Sequence, residues 1–105
     1  LFTIKYDFDI AMEIPNGYYG DVRSRSSVFK TLMVLSNSCG VVDSGYRGSI
    51  SAVFYKIPFL FKLYKVAERC AQLIITKTNN VTFEEVDVLN SSDRGEGGYG
   101  STGKL

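Results

Sequence analysis

Apolar and polar residues along this chain alternate with a period of two, the spacing of a strand that buries one face. Ile50, Ala52 and Phe54 fall on one side of residues 49–56, which predicts a buried strand. Residues 1–6 predict another. Ile10, Met12 and Ile14 alternate with Ala11 and Glu13 and predict a third, which Pro15-Asn16-Gly17 turns back into a hairpin with 18–24. Residues 32–35 and 66–75 read as further strands, and Phe83, Val86 and Val88 are expected to finish the sheet. Phe59, Leu60 and Phe61 form a second apolar cluster, expected in the core or at a subunit interface. Short strands between turn signals, with almost no helical period, predict an all-β fold, a barrel or sandwich of jelly-roll type. Such sheets have edges to cover, and symmetric assembly would cover them.

From Asn90 onward the sequence shifts to Gly, Ser and Asp, which cannot build a packed element. The expected organisation is one β-domain over 1–89 and a flexible glycine-rich C-terminal arm over 90–105. The chain opens on Leu1 and not on methionine, which suggests that it is not a whole gene product.

Composition narrows the function. With 105 residues, 45% hydrophobic and 22% charged, the chain is one globular domain. A formal net charge of +1, with basic residues scattered, gives no field for gripping nucleic acid. The longest apolar run, 57–63, is broken by Pro58 and Lys62 and is too short for a membrane span. No histidine is present, which removes histidine-based nucleophile schemes and His-ligated zinc. Cys39 and Cys70 are too few for a four-thiolate site; they are expected as reduced, mostly buried thiols of an intracellular protein.

The run Cys39-Gly40-Val41-Val42-Asp43-Ser44-Gly45-Tyr46-Arg47-Gly48 carries the clearest chemistry. An apolar strand ends at one carboxylate, and a Ser-Gly turn presents a tyrosine three residues on, so Asp43 is placed to aim into a cleft that Tyr46 walls. Asn37, six residues before Asp43, offers a donor and an acceptor together, which suits the edge of a pyrimidine. Ser24-Arg25-Ser26-Ser27 sets three hydroxyls around a guanidinium, a good holder of phosphate oxygens. Gln72 is a polar side chain among Ala71, Leu73, Ile74 and Ile75 and needs a partner if buried. In the tail, free backbone N–H groups and the fork of Arg94 suit an anion.

Arg25-Ser26-Ser27, the Gly-Val-Val-Asp-Ser-Gly-Tyr-Arg-Gly run, Arg69-Cys70-Ala71-Gln72-Leu73 and the tail Arg94-Gly95-Glu96-Gly97-Gly98-Tyr99-Gly100-Ser101-Thr102-Gly103 together resemble four of the five motifs of the trimeric dUTPase family. The resemblance covers nearly the whole chain. It implies a jelly-roll-like β-barrel that hydrolyses dUTP to dUMP and pyrophosphate, limiting uracil in DNA and supplying dUMP for dTMP synthesis. Asp43 would be the general base. Arg25, Ser26, Ser27, Gln72, Arg94, Ser101 and Thr102 would meet the phosphates. Asn37 would read uracil, with Gly40 beside it; Tyr46 would exclude a 2′-hydroxyl; Tyr99, with Gly100, would close over the base. Mg²⁺ is implied as the cofactor, held by phosphates and water, and a homotrimer with shared sites as the assembly.

Ser27 stands where the family usually has glycine, and Ser24 where proline is common. The family's first motif, an Ala-Gly-Tyr-Asp-Leu-like stretch, has no match and is expected ahead of Leu1; Tyr6-Asp7-Phe8 lies too close to the Pro15 turn to serve. Two rival readings follow: a noncatalytic dUTPase-fold binding module, and a dCTP deaminase relative, which the Asp-Ser-Gly-Tyr-Arg-Gly turn disfavours.

Overall fold

The computed structural model describes residues 2–58 and 62–104. Among these residues six strands form two antiparallel sheets: β1 (Phe2–Asp7), β5 (Ser51–Lys56) and β3 (Met33–Leu35) in the order β1-β5-β3, and β4 (Gly40–Val42), β2 (Tyr18–Ser24) and β6 (Ala71–Lys77) in the order β4-β2-β6. The fold is all-β and jelly-roll-like, with the barrel not closed among the described residues.

The alternation in β5 is realised directly. Ile50, Ala52 and Phe54 are buried and join Val22, Met33 and Leu35 in the core between the sheets. Tyr6 meets Phe54 and Tyr64 edge-on, Phe54 and Tyr64 are tilted to each other, all with ring centroids 5.8 to 6.1 Å apart, and the Tyr64 N–H donates to the Tyr6 hydroxyl at 3.1 Å. Glycine at 20 in central strand β2 lets Leu73 and Ile14 pack close over it, since a Cβ there would stand 2.9 Å from Leu73 Cδ1 and 3.1 Å from Ile14 Cδ1. A short 3-10 helix (Ser26–Lys30) follows β2. The Thr31 hydroxyl closes it by donating to the Val28 carbonyl at 2.6 Å, and accepts from Met33 N–H at 3.1 Å to start β3.

Several expectations are corrected. The Pro15 turn forms, with Tyr18 N–H on the Pro15 carbonyl at 3.1 Å, but Ile10, Met12 and Ile14 lie outside any strand, so there is no hairpin. Strand β2 is bonded on one side by β4 along Gly20–Val22 and on the other by β6 along its whole length, so its partners are those two strands and not residues 10–14. Leu32 precedes β3 in a left-handed conformation (φ +57°) and is exposed. The last strand starts at Ala71, not at Val66, because residues 65–68 form a turn with Ala67 at φ +71°. Phe83, Val86 and Val88 are in no strand and are exposed. Cys39 is exposed, on the connection between β3 and β4, whereas Cys70 is buried as expected; both are free thiols. Burial pushes the Cys70 thiol up from its ordinary value. Phe59, Leu60 and Phe61 lie outside the described residues.

Beyond β6 the backbone leaves the body. The radius of gyration is 19.0 Å, against about 13 Å for a compact chain of this length, and the longest extent is 53 Å. No helix among the described residues is long and apolar enough to cross a membrane.

Candidate active site

Strands β4 and β5 belong to different sheets, so the run after Val42 crosses between them and is not a hairpin. At the crossing, Tyr46 N–H donates to the Asp43 carbonyl at 3.1 Å and closes a turn over 43–46. Arg47 ties the turn down: its Nη1 donates to the carbonyls of Ser44 at 2.7 Å and Tyr46 at 3.2 Å, and its Nε lies 3.8 Å from Glu13 Oε1. On this fixed turn Asp43 is exposed, and its carboxylate has no hydrogen bond among the described residues.

The Tyr46 ring folds back along the same turn. Its hydroxyl donates to the Ser49 carbonyl at 3.0 Å, and the ring lies on Gly48, where a Cβ would stand 2.6 Å from Cζ. On the other side of Asp43, Gly40 lets the Asn37 amide approach the strand, since a Cβ there would be 3.3 Å from Asn37 Nδ2 and 3.3 Å from Val22 Cβ. Asn37, Gly40, Asp43 and Tyr46, with Ser49 and the wall of Val22 and Val42, line one cleft of about 210 Å³. Four of the sequence-predicted site residues thus meet in one place, and they are an amide, a bare backbone, an acid and a phenol.

A second group gathers at the far edge of the same sheet. Arg25, Ser26, Arg69 and Gln72 line an open cleft of about 550 Å³ where β2 ends and β6 begins. Gln72 is exposed, not buried among the aliphatic residues around it: its register opposite Arg23 turns it to the sheet's outer side, and its Nε2 donates to the Ser24 carbonyl at 2.9 Å. Arg25 Nη1 donates to the Arg69 carbonyl at 3.2 Å. These two bonds join the ends of the strands and set a guanidinium, a hydroxyl and an amide around one opening. Ser27 sits next to Ser26 in the 3-10 helix but does not line the cleft.

The tail residues reach neither cleft. Residues 94–103 form successive turns, closed by Gly97 N–H on Arg94 O at 3.2 Å, Ser101 N–H on Gly98 O at 3.1 Å and Gly103 N–H on Gly100 O at 2.9 Å. Gly100 takes φ +93°, open only to glycine at low cost. Arg94 uses Nε on its own turn, to Gly97 O at 2.7 Å, and its terminal nitrogens make no hydrogen bond among the described residues. Ser101 folds onto Gly97, so Arg94 and Ser101 share one small unit, with Tyr99 exposed beside it and Thr102 following.

The sequence did not single out Ser49, although it lines the first cleft and receives the Tyr46 hydroxyl. The available signal was its place at the end of the same short turn. Arg69 entered the sequence reading only as the first residue of a motif run, and the fold places it with Arg25 and Gln72 at the second cleft.

Two facing antiparallel sheets that carry their polar groups at the sheet edges define a class of jelly-roll-like β-proteins. Within that class the chain belongs to the dUTPase family: the family profile of that description matches residues 2–103. The deoxyuridine 5'-triphosphate nucleotidohydrolase of Escherichia phage T5 is 38% identical over 96% of this chain and 69% of its own length. That of Anaplasma marginale is 37% identical over 90% of this chain and 65% of its own. The chain thus spans about two thirds of the length of these relatives. Among solved structures it is similar to the dUTPase of Staphylococcus bacteriophage 80alpha with dUPNHPP, with TM-score 0.75 and 25% identity over 98% of this chain and 82% of that one.

Proposed function

We propose that this chain hydrolyses dUTP to dUMP and pyrophosphate. The observation that carries the reading is the convergence of Asn37, Gly40, Asp43 and Tyr46 on one cleft, with family membership supplying the substrate class. Asn37 presents its amide to the uracil edge beside Gly40. Tyr46 stands where the sugar would lie and leaves no room for a 2′-hydroxyl. Asp43 takes a proton from a water as that water's oxygen bonds to the α-phosphorus; the bond from the α-phosphorus to the bridging oxygen breaks, and pyrophosphate leaves with that electron pair. Arg25, Ser26 and Gln72, with Arg94, Ser101 and Thr102, spread the phosphate charge.

Among the described residues no three His, Cys, Asp or Glu side chains come together to hold a metal ion. An Mg²⁺ would come with the triphosphate and its water, and Asp43 is the acid of the cleft that would face it. Bound there, the ion would neutralise charge across the phosphates.

The two clefts stand on opposite edges of β4-β2-β6 and the tail reaches neither, which supports a site assembled from several copies. In a homotrimer one chain supplies Arg25, Ser26 and Gln72, the next Asn37, Asp43 and Tyr46, and the third its 90–105 arm with Arg94, Tyr99 and Gly100. A nucleotide pool as substrate supports an intracellular location.

Pyrophosphate release tests the reading. The chain is expected to release it from dUTP and not from dCTP, and Asp43→Asn to keep nucleotide binding while losing roughly 10²- to 10⁴-fold in turnover. Binding of dUTP without turnover by the parent chain would make this a noncatalytic binding module instead.

A further inference from the structure

Strand β1 ends irregularly, and the irregularity lies beside the first cleft. In a regular antiparallel pair, one residue exchanges both bonds with its partner. Here Phe8 N–H donates to Ile50 O at 2.9 Å, while Ile50 N–H donates to Ile10 O at 2.9 Å, and Asp9 between them takes φ +54°. The chain bulges at Asp9, and bulges of this kind re-aim neighbouring groups at the rims of sites.

The side chain of Asp7 holds the bulge and the cleft together. Its Oδ1 accepts the Asp9 N–H at 2.9 Å and also the Ser49 hydroxyl, in a short contact. Ser49 in turn accepts the Tyr46 hydroxyl on its carbonyl at 3.0 Å. Ser49 and Tyr46 line the cleft, and Asp7 does not. Asp7 is itself fixed by the β1–β5 ladder, in which it pairs with Ser51, so the chain of bonds runs from a sheet position to the ring. Hydrogen bonds to a carboxylate are roughly twice as strong as neutral ones. In keeping with this, the Ser49 hydroxyl, the Asp9 N–H and the nearby Lys5 hold the Asp7 carboxyl below its ordinary value.

We infer that Asp7 is a positioning residue for sugar discrimination: through Ser49 it fixes the carbonyl that holds Tyr46, and so keeps the ring against the space a 2′-hydroxyl would occupy. This rests on the proposed reading of Tyr46 as the wall that excludes ribose. Asp7 itself touches no nucleotide, so its removal is felt as a looser Tyr46 and a weaker preference for deoxyribose.

The experiment measures kcat/KM for dUTP and UTP in the parent chain and in Asp7→Ala, Asp7→Asn, Ser49→Ala and Tyr46→Phe. Asp7→Ala is expected to lower the dUTP/UTP ratio by about 3- to 10-fold, the worth of one ordinary hydrogen bond. Asp7→Asn, whose amide oxygen can accept the same two donors, restores the ratio. Ser49→Ala, which leaves the Asp7–Asp9 bond in place, lowers it as Asp7→Ala does. With Tyr46→Phe already present, Asp7→Ala changes the ratio no further. An unaltered ratio in both Asp7→Ala and Ser49→Ala overturns the inference, as does an equal loss from Asp7→Ala in the Tyr46→Phe background. If the parent chain hydrolyses no dUTP, the functional reading fails separately, and dUMP against UMP dissociation constants give the same comparison. A parent that binds these two equally overturns the positioning role.

Discussion

The ring of Tyr46 rests on the bare backbone of Gly48, with only the missing side chain making room for it: a Cβ on Gly48 would lie 2.6 Å from Cζ and 3.0 Å from Cε1. No real Cβ sits so close to a ring, and this ring is held at its far end by the Ser49 carbonyl. Gly48→Ala therefore has to push the ring out and break that bond. The expected outcome is a dUTP/UTP preference weakened as far as Tyr46→Ala weakens it. Gly45→Ala, in the same turn but with nothing within 4 Å of its Cβ, is the control and should leave the ratio unchanged. A Gly48→Ala chain with the parent's ratio would show that the ring has another resting place.

Ala67 stands at φ +71° in the turn closed by Glu68 N–H on Lys65 O at 3.0 Å. A left-handed alanine costs roughly 1–2 kcal/mol, and glycine's freer unfolded chain returns roughly 0.4–1 kcal/mol of that. Ala67→Gly is thus expected to stabilise the protein by about 0.5–1 kcal/mol and to raise Tm by a few degrees. Thermal unfolding of the two chains checks it, and an unchanged or lower Tm contradicts the strain argument.

That turn also shows where the sequence stopped being readable. Alanine is not a turn signal, so 66–75 read as one strand when the first five residues are turn and connection. Residues 10–14 and the apolar residues Phe83, Val86 and Val88 failed for a different reason. The alternation of 10–14 is genuine, but a strand exists only beside another strand, and β2 pairs instead with β4 and β6 while 83–88 stay exposed beyond the last strand. Periodicity reports a face to bury and is silent on whether a neighbour is available.

The site divided in the same way. Asn37 to Tyr46 was legible because its four residues lie within one ten-residue stretch, the end of the β3–β4 connection, β4 and the turn after it. By contrast, Gln72 bonds Ser24 across 48 positions of sequence through the β2–β6 register, and no local pattern encodes that pairing. The place of Asp7 behind Ser49 was hidden likewise, because it depends on β1 lying against β5.

Asp7 gives a dependence on pH. Its carboxyl is lowered from 3.8 by the Ser49 hydroxyl first and the Asp9 N–H second. A carboxyl lowered in the folded state stabilises it above the unfolded value and loses that contribution as pH falls through the folded one. The Tm advantage of the parent over Asp7→Asn should therefore be steady from about pH 7 to about pH 5 and shrink below about pH 4. The group is fully exposed, so the advantage is small. A gap that stays constant down to about pH 2.5 would mean that the ionised form gains nothing from these bonds.

The last prediction concerns assembly. Arg25, Ser26 and Gln72 open at one edge of the β4-β2-β6 sheet and Asn37, Asp43 and Tyr46 at the other, while Tyr99 lies on turns that reach neither cleft. Phe83, Val88 and Leu89 on the way to those turns are almost wholly exposed, at 97%, 83% and 82%, an apolar series that a lone chain leaves in water. If copies of the chain complete one another's sites in a trimer, two defects on different chains can be repaired by mixing. An Asp43→Asn chain keeps its tail, and a chain ending at Asn90 keeps its Asp43. When subunits have exchanged, some sites draw an intact acid from one chain and an intact arm from the other. Mixed trimers are therefore expected to hydrolyse dUTP faster than either parent alone and more slowly than the unmodified protein. Light scattering gives the assembly state and pyrophosphate release the rate. A monomer in solution, or trimers shown to have exchanged subunits that gain no activity, would mean that each chain must complete its site by itself.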